Sequence, residues 1–256
     1  MWSAFLKSFA RIEVKYPSAG DAPVILVIGR RNVGRNSALI NRVLADLHGA
    51  GAAIYELEWR KTRVVRQMDA DVGRLSAAEL FRRCPAGTRS GRLLRRLLTL
   101  GLLARHPSWW PYYLHERSSS NALTARMLTA LLRDFPPGRV CLLSHSLGGI
   151  VASMAQSAPA VSRLICFGYP FRHPARGEEP VRTRHLAGVT KPFLILQGER
   201  DPYGNAAAAG RYALSSTIRV LPVDADHDYG MPEAEAYDRV FRAISAVMQT
   251  APAAAE

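Results

Sequence analysis

The sequence predicts an α/β fold in which a mostly parallel central sheet is covered by helices on both faces. Three observations carry this expectation. Short apolar runs alternate with stretches of helical spacing, most regularly after residue 138, as parallel strands buried between helix layers require. The runs are closed by glycine, proline and short polar turns. The chain has 256 residues, 48% of them hydrophobic, enough for one full core without a second domain.

Val24–Ile28 is a short apolar run closed by Gly29 and reads as a buried strand. Asn36 to His48 has helical spacing (Leu39, Ile40, Val43, Leu44, Leu47), with Gly49 as its terminator. Ala52 to Glu58 is the next strand. Leu123 to Leu132 is a helix stopped by Pro136-Pro137-Gly138. Then follow a strand at Val140–Leu143, a helix at Leu147–Ser157 and strands at Leu164–Phe167 and Phe193–Leu196. A helix at Asn205–Ala213, a strand at Ile218–Val223 and a helix at Glu233–Met248 complete the set. Residues 1–256 thus read as one domain, with 59–117 as an irregular, basic insert or cap. Met1 to Ala10 is apolar but interrupted by Lys7, and reads as mature protein rather than a cleaved signal.

Composition narrows the function. Three cysteines, Cys84, Cys141 and Cys166, without a C-x-x-C pair argue against a disulfide framework or a zinc site. This cysteine usage fits a reducing cytoplasm, and no apolar run reaches membrane-spanning length. The net charge of +13 comes almost wholly from arginine, and residues 59–96 hold eleven Arg/Lys against three Asp/Glu. No nucleic-acid motif accompanies it, so it reads as solvated surface and no nucleic-acid partner is expected.

The chemistry gathers at strand ends, where sites form in such sheets. Ser144-His145-Ser146-Leu147-Gly148-Gly149 leaves one strand and opens a helix. A sharp turn between small residues lifts the Ser146 hydroxyl above the sheet and aims the Leu147 N–H where an oxyanion would form. A hydroxyl needs a base. His227, in Asp224-Ala225-Asp226-His227-Asp228 after a later strand, is well placed; His145, His173 and His185 suit packing or pocket-lining roles. The base needs an acid to fix its tautomer. Asp201 in Gln197-Gly198-Glu199-Arg200-Asp201-Pro202 follows the intervening strand, ahead of its rivals Asp224, Asp226 and Glu199. The order Ser, Asp, His at three strand ends is that of the α/β-hydrolase fold.

The same residues carry a resemblance. Ser146-Leu147-Gly148-Gly149, Phe167-Gly168-Tyr169-Pro170, His173-Pro174, His185-Leu186, Gln197 to Gly204 and Asp226-His227 resemble one branch of the α/β-hydrolases. That branch holds the hydrolase-like subunit of the NSL histone acetyltransferase complex, testis-expressed hydrolase-like proteins and dienelactone-hydrolase-related bacterial proteins. The resemblance implies the same three residues. It departs at the oxyanion loop, where Ile28-Gly29-Arg30-Arg31 stands in place of a His-Gly pair and small residues.

These observations point to hydrolysis of a small-molecule ester or thioester through an acyl-enzyme. Ser146, His227 and Asp201 would act as triad, and the N–H groups of Leu147 and Arg30 as oxyanion hole; no metal or organic cofactor is called for. The odd oxyanion loop motivates an alternative, a catalytically silent binding or scaffold protein. A further alternative is phosphate or nucleotide binding by Gly29 to Ser37, whose glycine spacing imitates a P-loop but lacks its lysine. In the insert, Arg89 to Tyr113 reads as a basic amphipathic helix followed by an aromatic cluster. It suits a lid, an acyl-pocket wall or a peripheral membrane contact; leucines packed on the core are the plainer use. Oligomeric state is not legible.

Overall fold

The structure, a computed structural model, describes residues 10–17, 22–29, 37–76, 88–118 and 120–249. Two compact units are present: residues 12–57 with 121–256, and residues 1–11 with 58–120.

The sheet has seven strands in the order β1-β3-β2-β4-β5-β8-β9. They are β1 (Ala10–Tyr16), β2 (Val24–Ile28), β3 (Ala53–Trp59), β4 (Val140–His145), β5 (Val161–Phe167), β8 (Phe193–Gly198) and β9 (Ile218–Val223); β6 (Arg172–His173) and β7 (Gly177–Glu178) form a separate hairpin. The pairs β2–β3, β2–β4, β4–β5, β5–β8 and β8–β9 are all parallel. Every residue of β2, β4, β5 and β8 is buried, which explains their largely apolar sequences. β1 was not anticipated: its polar residues alternate with apolar ones beside the charged Lys15–Glu56 pair, as a half-exposed strand requires.

The helices of the larger unit begin with α1 (Ala38–Gly49), capped by the Ser37 hydroxyl, which accepts from the Ile40 N–H. It buries Leu39, Ile40, Val43, Leu44 and Leu47, the predicted face. Cys141 and Cys166 are buried free thiols, pushed up to about 12 by burial; Cys84 lies outside the described residues.

The smaller unit contains α2 (Arg60–Ser76), α3 (Arg89–Arg105) and α4 (Trp110–Ser118). The insert reads as irregular from sequence apart from the amphipathic helix expected from Arg89, which is α3; α2 and α4 are helical as well. The unit has its own core, in which Leu102 and Leu103 of α3 meet Met68 and Val72 of α2, with Leu98, Trp109 and Tyr113 packed against them. Among the described residues, no helix is long and apolar enough to cross a membrane.

Candidate active site

In the larger unit, β4 runs into α6 (Leu147–Met154), preceded by α5 (Asn121–Leu132). The junction is Ser146, whose φ of 54° and ψ of −127° lie where L-residues rarely go. Such a conformation costs about 1–3 kcal/mol and persists only if the surroundings impose it. They do. The Ser146 N–H donates to the Phe167 carbonyl at 3.0 Å. A Cβ on Gly148 would stand 2.5 Å from the Ile28 carbonyl oxygen, and one on Gly149 would collide with Cys166 Sγ. Only glycine lets the helix approach β2 and β5 this closely. Serine is accepted at 144 because its buried hydroxyl donates to the Ile165 carbonyl at 3.1 Å. The Ser146 side chain makes no cap bond to its own helix.

His227 Nε2 lies 2.9 Å from Ser146 Oγ, and His227 Nδ1 lies 2.8 Å from Asp201 Oδ2. The carboxylate fixes the tautomer: Nδ1 carries the proton it donates, leaving Nε2 as acceptor for the serine hydroxyl. Asp201 is itself held. Its Oδ1 accepts from the Tyr203 N–H at 2.8 Å and its Oδ2 from Gln197 Nε2 at 3.3 Å. The Asp201 side chain is fully buried, while that of His227 is 17% exposed. The acid is thus shielded from water while the base keeps an open edge.

The rival acids are engaged elsewhere. Asp224 pairs with Arg200, and Asp226 Oδ1 accepts from the Asp228 N–H. Glu199 is exposed to solvent. His173 Nδ1 accepts from the Ala175 N–H. His185 and Ser153 form a second serine–histidine contact at 2.8 Å. There the hydroxyl also reaches the Gly149 and Ile150 carbonyls of its own helix, and Nδ1 of His185 is buried without a partner. Lacking a carboxylate behind the ring, that pair cannot do what the Asp201–His227 pair can.

Three further residues support the triad: His145, expected from sequence to pack, Gly168, whose supporting role was not foreseen, and Tyr229, which sequence reasoning missed. His145 is buried against the His227 ring, 5.0 Å between centroids. Burial lowers its pKa, so the ring is neutral and its Nε2–H donates to the His227 carbonyl at 2.8 Å. Tyr229 is fully buried with φ 53°. Its hydroxyl donates to the Leu196 carbonyl at 2.7 Å and accepts from the Gly198 N–H at 2.9 Å. Its carbonyl accepts from the Ser37 hydroxyl and the Leu39 N–H at the head of α1. Gly168, at φ 62°, lies beneath the pair: a Cβ there would stand 3.0 Å from Asp201 Oδ2 and 3.3 Å from His227 Nδ1. The only sequence signal for Tyr229 is its place two residues after the histidine.

Leu147 opens α6, so its N–H belongs to the first turn, where amides have no partner within the helix and the dipole favours an anion. Arg30, the second oxyanion residue expected from sequence, lies outside the described residues, as does most of the P-loop-like stretch Gly29 to Ser37; Gly29 and Ser37 are described, and Ser37 is the cap of α1.

A family described as an alpha/beta hydrolase domain matches residues 117–253. A hydrolase from Oleispira antarctica aligns with a TM-score of 0.56 at 10% identity, over 97% of this chain and 98% of its own. An esterase domain of a Rhodothermus marinus protein aligns with a TM-score of 0.52 at 14% identity, over 93% and 90%. Est1E from Butyrivibrio proteoclasticus, with ferulic acid bound, aligns with a TM-score of 0.50 at 12% identity, over 93% of each chain. No curated protein matches the chain by sequence. At such identities the structural likeness speaks for the fold.

Proposed function

The chain belongs to the α/β-hydrolase family, and on that premise we propose that it is a serine hydrolase cleaving a small-molecule ester or thioester through an acyl-enzyme. The observation that carries this reading is the unbroken relay from Ser146 Oγ through His227 to the buried Asp201, at 2.9 and 2.8 Å.

Ser146 Oγ attacks the carbonyl carbon while His227 Nε2 takes the hydroxyl proton. Asp201 stays ionised, and its charge stabilises the imidazolium. The carbonyl π electrons move to oxygen, and that oxyanion faces the Leu147 N–H at the start of α6 and the Arg30 N–H as second donor. When the carbonyl re-forms, the alcohol or thiol leaves with the proton from His227. Water then repeats the cycle on the acyl-serine, with His227 as base, and releases the acid. The strained φ of Ser146 supports this assignment, since strain of this kind concentrates where function requires it. Within this reading, residues 59–117 are an insert or cap of a single hydrolase domain.

Hydrolysis of p-nitrophenyl acyl esters of graded chain length tests the proposal. Wild type should show saturable turnover, and Ser146→Ala and His227→Ala should each lose at least about a thousandfold in kcat/KM. Turnover that survives Ser146→Ala would refute it.

A further inference from the structure

The inner side of α3 is spent on the core of the smaller unit, yet a second apolar row runs along its outside. Leu93, Leu97 and Leu100 are 59%, 56% and 49% exposed. Their spacing of four and then three residues sets them on one helical stripe, which Ala104, also exposed, extends by four more. These leucines are not surplus core residues: Leu102 and Leu103 fill that role. Arg89 and Arg96, both exposed, stand four residues before and three residues after Leu93 and so border the stripe. The whole helix, RSGRLLRRLLTLGLLAR, carries five arginines and no carboxylate. In the same unit, α4 repeats the pattern on a smaller scale, with Trp110 38% and Leu114 53% exposed one turn apart.

We propose that the outer face of α3 is a docking surface for an anionic lipid interface, with Leu93, Leu97 and Leu100 entering the acyl boundary and Arg89 and Arg96 among the headgroups. A polar helix with a leucine stripe and an arginine border is built to lie in the plane of a membrane surface. The charge selects the occupant. Two copies of this face would bring arginines against arginines, which opposes self-association, whereas anionic headgroups attract each arginine. Trp110 adds an amphipathic ring of the kind that settles at headgroup level. The surface is independent of the serine chemistry and stands or falls separately from it.

Co-sedimentation of the full-length protein with phosphatidylcholine vesicles, with and without phosphatidylglycerol, tests the surface. Binding is expected only with phosphatidylglycerol and should weaken as salt is raised. Arg89→Gln and Arg96→Gln should each weaken it roughly fivefold. Leu93→Gln/Leu97→Gln/Leu100→Gln should weaken it roughly tenfold or more, and the exposed positions should leave the thermal midpoint near that of wild type. For wild type alone, the tryptophan emission should shift to the blue on adding the anionic vesicles. Absence of sedimentation and of any emission shift would overturn the proposal. So would binding that the triple leucine variant retains in full, since the +13 chain would then be adhering by charge alone. A wild-type dimer split by the leucine substitutions, with no vesicle binding, would overturn it in favour of a second copy of this chain.

Discussion

Replacing Tyr229 by phenylalanine deletes one oxygen atom from the centre of the larger unit. The ring stays, edge-on to Phe167 with centroids 5.6 Å apart, so no cavity larger than a hydroxyl forms. Two hydrogen bonds go. The Leu196 carbonyl loses the Tyr229 hydroxyl but keeps the Gly168 N–H at 2.9 Å. The Gly198 N–H loses its 2.9 Å acceptor at a buried site. An unsatisfied buried donor costs about 1–3 kcal/mol, and that is the predicted loss in urea unfolding at unchanged m-value. Gly198 also begins the turn that carries Asp201. The same variant should therefore lower kcat on a soluble ester by roughly tenfold while leaving KM near wild type, because a small misplacement of the acid affects orientation and not binding. A destabilisation below about 0.5 kcal/mol would refute the reasoning by showing that the Gly198 amide finds another acceptor.

Ser146→Gly should abolish activity yet raise stability by about 1 kcal/mol in urea unfolding, because glycine adopts φ 54° without strain. Gly148→Ala should do the opposite to stability, at a cost of about 1–3 kcal/mol, because the obstacle 2.5 Å away is backbone and cannot swing aside. The pH dependence of stability follows from His145 and His185, whose pKa values burial lowers below the ordinary 6.5. The unfolded chain takes up their protons first, so the stability present above about pH 6.5 is lost as pH falls below it. Chemical denaturation between pH 8 and pH 5 should show this decline, and His145→Asn should flatten it.

The candidate triad was legible because each member stands at the end of a strand whose apolar run is unmistakable, and chain order does the rest. Asp201 could be preferred over Asp224 on reach alone, and in the structure Asp224 faces Arg200 instead. The central parallel strands β2, β4, β5 and β8 were legible for the same reason, since each is buried along its whole length. Illegible features depend on partners far away in sequence. Tyr229 binds residues 31 to 33 positions distant, as well as Ser37, and nothing local marks it as more than a core aromatic. Asn205–Ala213 was expected to be helical throughout, but only Ala206–Ala209 is, with Gly210 as its C-cap. Within residues 60–118 the amphipathic helix expected from Arg89 is α3, whereas α2 and α4 were hidden among densely mixed polar and apolar residues that blur a single-face period.

Labelling by a fluorophosphonate probe with mass analysis of the adduct tests the central claim most directly. The account predicts a single adduct on Ser146 in wild type, absent from Ser146→Ala and from His227→Ala, with all three proteins folded. An adduct on Ser153 or any other serine, or labelling undiminished in His227→Ala, would contradict it.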